Sequence, residues 1–222
     1  MSTNAIWASQ NSKPPCKLYY DVIVYGATMG GIMAAIAAKK MGASVAIFEP
    51  FGWIGGMVTG GLAFSDLPGG AQGTSQTYGS SLSMSSAALV GLAHDFWSDV
   101  AQEYGVTLQS MLQFATINAE PKRYQTVVRR WLGNYGIDVF LFAQMTSVQG
   151  NGAVTTGLQS ITLNFLNAGG VQTIQCSKFV DATYEGDLVA QCLPASSIVI
   201  GREANATYGE THNGVRLSLI HI

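Results

Sequence analysis

Charge is what this chain has least of. Only 11% of its 222 residues are Asp, Glu, Lys or Arg, under half the roughly 25% of an ordinary soluble domain. The formal net charge is −2 and no run of Lys or Arg occurs, which excludes the basic footprint of a nucleic-acid binder. An apolar run of the ~18 residues needed for a membrane span is missing too. The N-terminus, MSTNAIWASQNSKPPCKLYY, lacks the basic and apolar regions of a secretory signal and reads as a leader, so a cytoplasmic protein is expected. The three cysteines, Cys16, Cys176 and Cys192, lie far apart. They make no C-x-x-C pair and no metal-ligand cluster, which points to reduced, mostly buried thiols. Histidine is scarce, with three in all, and no Ser-His-Asp arrangement stands out. His94 falls on a helical stretch and His212 in a loop, and both read as non-catalytic.

Hydrophobic residues make up 48% of the chain, enough for a sizeable core, and glycine is plentiful at 26. The organising stretch is Asp21–Pro50, DVIVYGATMGGIMAAIAAKKMGASVAIFEP. Asp21–Tyr25 reads as a strand, Gly26 opens a tight turn, and Gly31–Met41 reads as a helix with Lys39 and Lys40 suited to its C-terminal dipole. Gly42 stands where a left-handed residue ends a helix. Ser44–Phe48 is a second strand, tipped by Glu49. Together they form a βαβ unit of dinucleotide-binding size. Gly26 permits the reversal and Gly31 the close approach of helix to strand. The free amides around Met29–Gly31, with the helix dipole, favour a pyrophosphate. Glu49 stands 23 positions after Gly26, near the usual ~20 for a carboxylate that takes ribose hydroxyls, and it repels a 2′-phosphate. Thr28 replaces the middle glycine of G-x-G-x-x-G. Its Cβ pushes the phosphate outward or its hydroxyl donates to it. The plainer alternative is an ordinary crossover with a solvated Glu49.

Phe51–Gly61, FGWIGGMVTGG, is glycine-rich and comes directly after the acid. Gly55 and Gly56 would let amides approach the ligand from a second side. The Pro, Gly and Ser signals of Leu67–Ser86 predict an exposed loop, with Ser85 or Ser86 capping the next segment. Ala87–Tyr104 is a predicted helix with an apolar face at Leu89, Leu92, Ala93, Phe96 and Val100. Pro121–Tyr135 is another, its Arg123, Arg129 and Arg130 forming a solvated basic face. Ile137–Ala143 is expected to be the third parallel strand. Met145–Gln175 is expected to be a small antiparallel β-meander, with the next parallel strand after it over Ser177–Val180.

That last strand ends in FVDATYEGDL, Phe179–Leu188. Ala182 and Thr183 would lie at the carboxyl edge of the sheet, where open α/β folds bind ligands. Ala182 allows close backbone approach and Thr183 has a hydroxyl to donate. The carboxylates of Asp181, Glu185 and Asp187 are a weaker candidate for a metal or acid–base site, with no histidine beside them, so no metal is expected.

Together these pieces, with GREANATYGETHNGV at Gly201–Val215, resemble the FAD-dependent oxidoreductase family of glutathione-reductase-like fold, and within it a bacterial group sometimes labelled xanthan lyase. The resemblance implies an α/β, Rossmann-like FAD-binding domain with FAD as cofactor. It assigns Gly26, Ala27, Thr28, Met29, Gly30 and Gly31 to the pyrophosphate. It gives Glu49, with Pro50 beside it, to the adenosine ribose, Gly55, Gly56 and Met57 to the flanking loop, and Ala182 and Thr183 to the strand-end contact. Trp53 stands where related flavoproteins often carry an arginine. The implied organisation is a leader (1–20), a cofactor domain (21–215) with an insertion near 67–135 and the meander near 145–175, and the start of a substrate region after about 190. Residues 216–222, ending LSLIHI, are expected to be foreign to the fold, and most of the substrate domain to be absent. The expected function is the FAD-binding portion of an oxidoreductase acting on an unidentified small molecule. The alternatives are an NAD-dependent dehydrogenase of simple Rossmann type and a nucleotide-binding fragment without turnover. Asn205–Thr207 is a formal glycosylation sequon, expected to be idle.

Overall fold

The computed structural model describes residues 14, 17–61, 89–113, 120–150, 158–193 and 209. The expectations for the Leu67–Ser86 loop, Cys16, the sequon, His212 and residues 216–222 fall outside them.

The chain opens with strand β1 (Tyr19–Tyr25), helix α1 (Met29–Lys40) and strand β2 (Val45–Glu49). These match the expected βαβ unit, except that Tyr19 and Tyr20 of the expected leader already pair with the last strand of the sheet. Asp21 and Ser44 tie the start of the two strands together. The Asp21 carboxylate accepts the Ser44 N–H and hydroxyl, both at 2.7 Å, and the Asp21 N–H donates to Ser44 Oγ at 2.9 Å. Those bonds to Ser44 hold the Asp21 carboxyl below its ordinary range. Helix α1 ends where Gly42 adopts φ +89°, as its sequence requires.

A short helix α2 (Gly56–Thr59) comes next, then α3 (Gly91–Glu103), α4 (Leu108–Gln113) and α5 (Pro121–Asn134). Phe96 and Val100 of α3 are buried as expected, but Ala93 is exposed and Trp97 is buried instead. The bulky indole covers more apolar surface than a methyl. The arginines of α5 need correction, because they are not merely solvated. Arg130 Nη1 lies 2.6 Å from Glu103 Oε1 and Nη2 lies 3.4 Å from Asp99, while Arg123 reaches Glu103 at 3.7 Å. Trp131 Nε1 donates to Asp99 at 2.7 Å. Arg129 donates to Gln125, one turn back on the same helix. The basic residues therefore fasten α5 to α3 and brace α5 itself.

Strand β3 (Asp138–Leu141) pairs parallel to β2. Phe142, at φ +56°, then turns the chain into β4 (Ala143–Gly150), β5 (Leu158–Phe165), β6 (Val171–Asp181) and a final helix α6 (Asp187–Cys192). The order is β3-β2-β1-β6-β5-β4 in one sheet. The expected break between meander and final parallel strand does not exist. Nothing between Val171 and Asp181 punctuates the strand, so β6 is continuous and changes partner midway. Gln175 pairs with Ser160 of β5 on one side and Tyr19 of β1 on the other.

The sheet is covered on both faces. Val24, Ile47, Val139 and Leu141 pack beneath α1, α3 and α5, on Ile32, Ile36, Val100, Val127 and Trp131. The alternate residues, Ile23, Tyr25 and Phe48, face Ile161, Leu163, Phe165 and Ile174. These belong to strands of the same sheet, so the sheet curls back over itself. The Met145 N–H of β4 donates to the Tyr25 hydroxyl of β1 at 2.9 Å, although two strands lie between them in the order. Phe165 meets Phe48 edge-on at 6.3 Å between ring centroids. Double coverage is why β1 and β2 read as unbroken apolar runs rather than alternating ones.

Cys176 is buried and its thiol is pushed up to about 12 by that burial. Cys192 is shifted the same way, also by burial. Among the described residues no helix is long and apolar enough to cross a membrane.

Candidate functional site

The carboxyl ends of β1, β2 and β6 meet at a cavity of about 430 Å³ with three walls. The first is the turn from β1 into α1. Gly26 N–H donates to Phe48 O at 2.8 Å, and Gly26 sits at φ +99°. A Cβ there would lie 2.8 Å from the Ala182 carbonyl and the Thr183 nitrogen. At Gly31 a Cβ would overlap the Gly26 carbonyl. Both glycines are therefore demanded by close packing, as their spacing suggested. Gly30 is exposed, and a Cβ on it would make only an ordinary contact with Thr28 Oγ1 at 3.8 Å, while Met29 packs toward the core. Helix geometry leaves the Met29 and Gly30 amides without an intrahelical acceptor.

The Thr28 hydroxyl is bonded within the fold. Thr28 Oγ1 donates to Ala182 O at 2.8 Å and accepts the Gly31 N–H at 3.3 Å. It is the N-cap of α1 and a tie to the end of β6. The Thr28 hydroxyl thus points into the fold, while Gly26 and Thr28 both line the cavity.

The second wall is Glu49 and the loop after it. Glu49 is buried, 8% exposed. Its Oε2 accepts the Ala27 N–H at 2.7 Å and its Oε1 the Phe51 N–H at 3.0 Å. Burial raises its carboxyl above the ordinary glutamate range, and the two amide bonds oppose that shift. The solvated-Glu49 alternative is thereby corrected. Pro50 and the exposed Phe51 continue this wall. Gly55 N–H donates to Ala27 O at 2.6 Å, and Gly55 bridges Thr28 in parallel fashion. The double-glycine loop therefore docks on the turn itself, with Gly55 at φ +91° and Gly56 at φ +55°. Trp53 Nε1 donates to Thr59 Oγ1 at 3.0 Å, and Thr59 in turn donates to the Ile54 carbonyl.

The third wall is the end of β6. Ala182 N–H donates to Tyr25 O at 2.8 Å, and Thr183 lines the cavity. The expectation that the Thr183 hydroxyl donates outward is corrected. It donates to Asp181 Oδ1 at 2.8 Å and accepts the Gly186 and Asp187 amides. Asp181 also accepts the Val189 N–H at 2.9 Å, so its carboxylate organises the loop. Among the described residues no group of three or more His, Cys, Asp and Glu is placed to hold a metal. Glu185 and Asp187 do line the cavity, and burial raises the Asp187 carboxyl, with Glu185 and Asp181 adding to it.

Of the expected residues, Gly26, Thr28, Glu49, Pro50, Gly56, Met57 and Thr183 share the cavity; Ala27, Met29, Gly30, Gly31, Gly55 and Ala182 stand behind or beside it. Tyr184, Trp53 and Phe51 line it without having been anticipated. Their signal was position alone, next to an expected glycine or acid.

A family model described as FAD dependent oxidoreductase matches residues 21–221. The chain belongs to this family. FAD is the family's cofactor, and the glycine turn at Gly26 and the double-glycine loop at Gly55 and Gly56 suit a ligand that presses on backbone. Among solved structures, a flavoprotein/dehydrogenase from Cytophaga hutchinsonii has a TM-score of 0.50 at 18% identity, covering 79% of this chain and 42% of its own. A 3-ketosteroid delta1-dehydrogenase from Sterolibacterium denitrificans has a TM-score of 0.44 at 14% identity, covering 75% and 48%. THI4 of Thermovibrio ammonificans has a TM-score of 0.47 at 19% identity, covering 88% and 68%. The first of these shares the fold. The chain spans less than half the length of the two dehydrogenases. No curated protein sequence matches the chain.

Proposed function

We propose that this FAD-dependent oxidoreductase chain is the cofactor-holding portion of an enzyme that passes hydride or electrons between a small-molecule substrate and FAD. The observation that carries it is the bond from Ala27 N–H to Glu49 Oε2, which brings the pyrophosphate turn and the ribose acid to one cavity. The Gly26–Gly31 turn would receive the pyrophosphate on backbone amides at a helix start. Glu49 would accept the ribose hydroxyls, held by two amides in a position that keeps a 2′-phosphate out. Gly55, Gly56 and Met57 would flank the cofactor, with Ala182 and Thr183 closing the strand end. When bound, FAD supplies the redox chemistry, and the chain's part is to bind, orient and shield it.

Purified protein mixed with FAD should quench flavin fluorescence at one site per chain, and Glu49→Arg should weaken that binding. An NAD-linked dehydrogenase would instead bind NADH and leave FAD free. A fragment without turnover would bind FAD that no donor reduces.

A further inference from the structure

The cavity has one cross-link that the cofactor reading does not use. Tyr184, on the strand-end wall, accepts the Met57 N–H on its phenol oxygen at 2.7 Å. Its hydroxyl sits where a Cβ on Gly56 would be, so the ring spans the cleft from β6 to the double-glycine loop. Yet the side chain is 57% exposed, and this contact is one neutral hydrogen bond. Its neighbours in the chain are held on both sides. Thr183 is bonded to Asp181, and the Gly186 N–H donates to Thr183 Oγ1 at 2.9 Å, so movement of Tyr184 is movement of its side chain. The cavity, at about 430 Å³, falls in the lower half of the ~300–1,000 Å³ range of small-molecule sites. Tyr184 lines the same cavity as Glu49, Gly56 and Met57, so its ring occupies space beside the residues that would hold FAD.

The geometry points to Tyr184 as a strap that closes the cleft when no cofactor is present and swings off Met57 to admit it. The inference rests on the FAD reading above. Removing the phenol oxygen leaves the ring but deletes the bond that must break, and truncation to alanine deletes the barrier altogether. A neutral hydrogen bond corresponds to roughly threefold to tenfold in an equilibrium.

The test compares wild type, Tyr184→Phe and Tyr184→Ala by stopped-flow flavin fluorescence with FAD. The Met57 amide is tracked by ¹H–¹⁵N spectra before and after FAD. The strap predicts that both variants associate with FAD faster, by about threefold or more, and that FAD moves the wild-type Met57 resonance toward its position in Tyr184→Phe. Slower or weaker FAD binding by either variant would make Tyr184 a fixed contact and overturn the strap, as would unchanged rates. Wild type and both variants all failing to bind FAD would overturn the cofactor reading and the strap with it. Binding by the variants alone would support the strap in its strongest form.

Discussion

The hydroxyl of Thr28 donates to the carbonyl of Ala182 at 2.8 Å, across 154 positions of sequence. It joins the start of α1 to the end of β6 and so fixes two of the three walls of the cavity. The residue that breaks the glycine fingerprint is the one that locks it in place.

Replacing that hydroxyl separates its two roles from its bulk. Thr28→Val should cost about 2 kcal/mol, from a lost N-cap and an unpaired carbonyl, whereas Thr28→Ser should retain most of the stability. Urea unfolding of the pair decides it: a loss in Thr28→Ser with none in Thr28→Val would assign the effect to the methyl group.

Gly26→Ala should be worse than an ordinary surface change. Its left-handed backbone costs an alanine about 1–3 kcal/mol, and the added methyl meets the Ala182 carbonyl. Thermal unfolding should show the loss, and FAD titration should show weakened binding in whatever protein folds.

Glu49 should be sensitive to small chemical change. A glutamine has one acceptor oxygen for two amide donors, so Glu49→Gln should lose about 1–2 kcal/mol of stability. Glu49→Arg should lower FAD affinity by roughly tenfold to a hundredfold, through lost ribose bonds. Flavin titration alongside denaturant melts distinguishes the two effects.

The same carboxylate predicts a pH dependence. Its folded pKa is raised, chiefly by burial, so between the ordinary and raised values the folded state holds more protons than the unfolded. Stability from this group therefore falls as pH rises through that window and is regained as pH drops. Asp187 acts in the same direction, and Asp21, with its lowered pKa, acts oppositely at more acid pH. Wild type should gain on Glu49→Gln in parallel melts as pH falls from neutral toward the ordinary glutamate pKa. A constant difference would show that Glu49 does not titrate in that range.

Glu185 and Asp187 line the cleft and carry the same sign of charge as a pyrophosphate. Added salt should screen that repulsion, so FAD affinity should rise with ionic strength. Glu185→Gln should tighten binding by about twofold at low salt. An affinity that falls with salt would mean that a cation dominates the phosphate contact.

The βαβ unit was legible in the sequence because its signals are local. Gly26, Gly31 and Gly42 are each required by backbone geometry within a few residues, and Glu49 by the length of the strand it ends. The helix of Pro121 to Asn134 was legible for the same reason, with proline at one end and Gly136 at the other. The sequence alone therefore determined the order of the elements, the bend lined by amides and the place of the acid. Everything it left undecided depends on residues far apart in the chain. The Thr28 hydroxyl and the Glu49 carboxylate had partners that only the closed sheet supplied. The unbroken β6 exchanges one neighbour for another at Gln175, because β5 and β1 approach it from opposite ends. The curl that brings Phe165 onto Phe48 was settled by burial of the second sheet face, an energy shared by the whole fold and written in no single stretch.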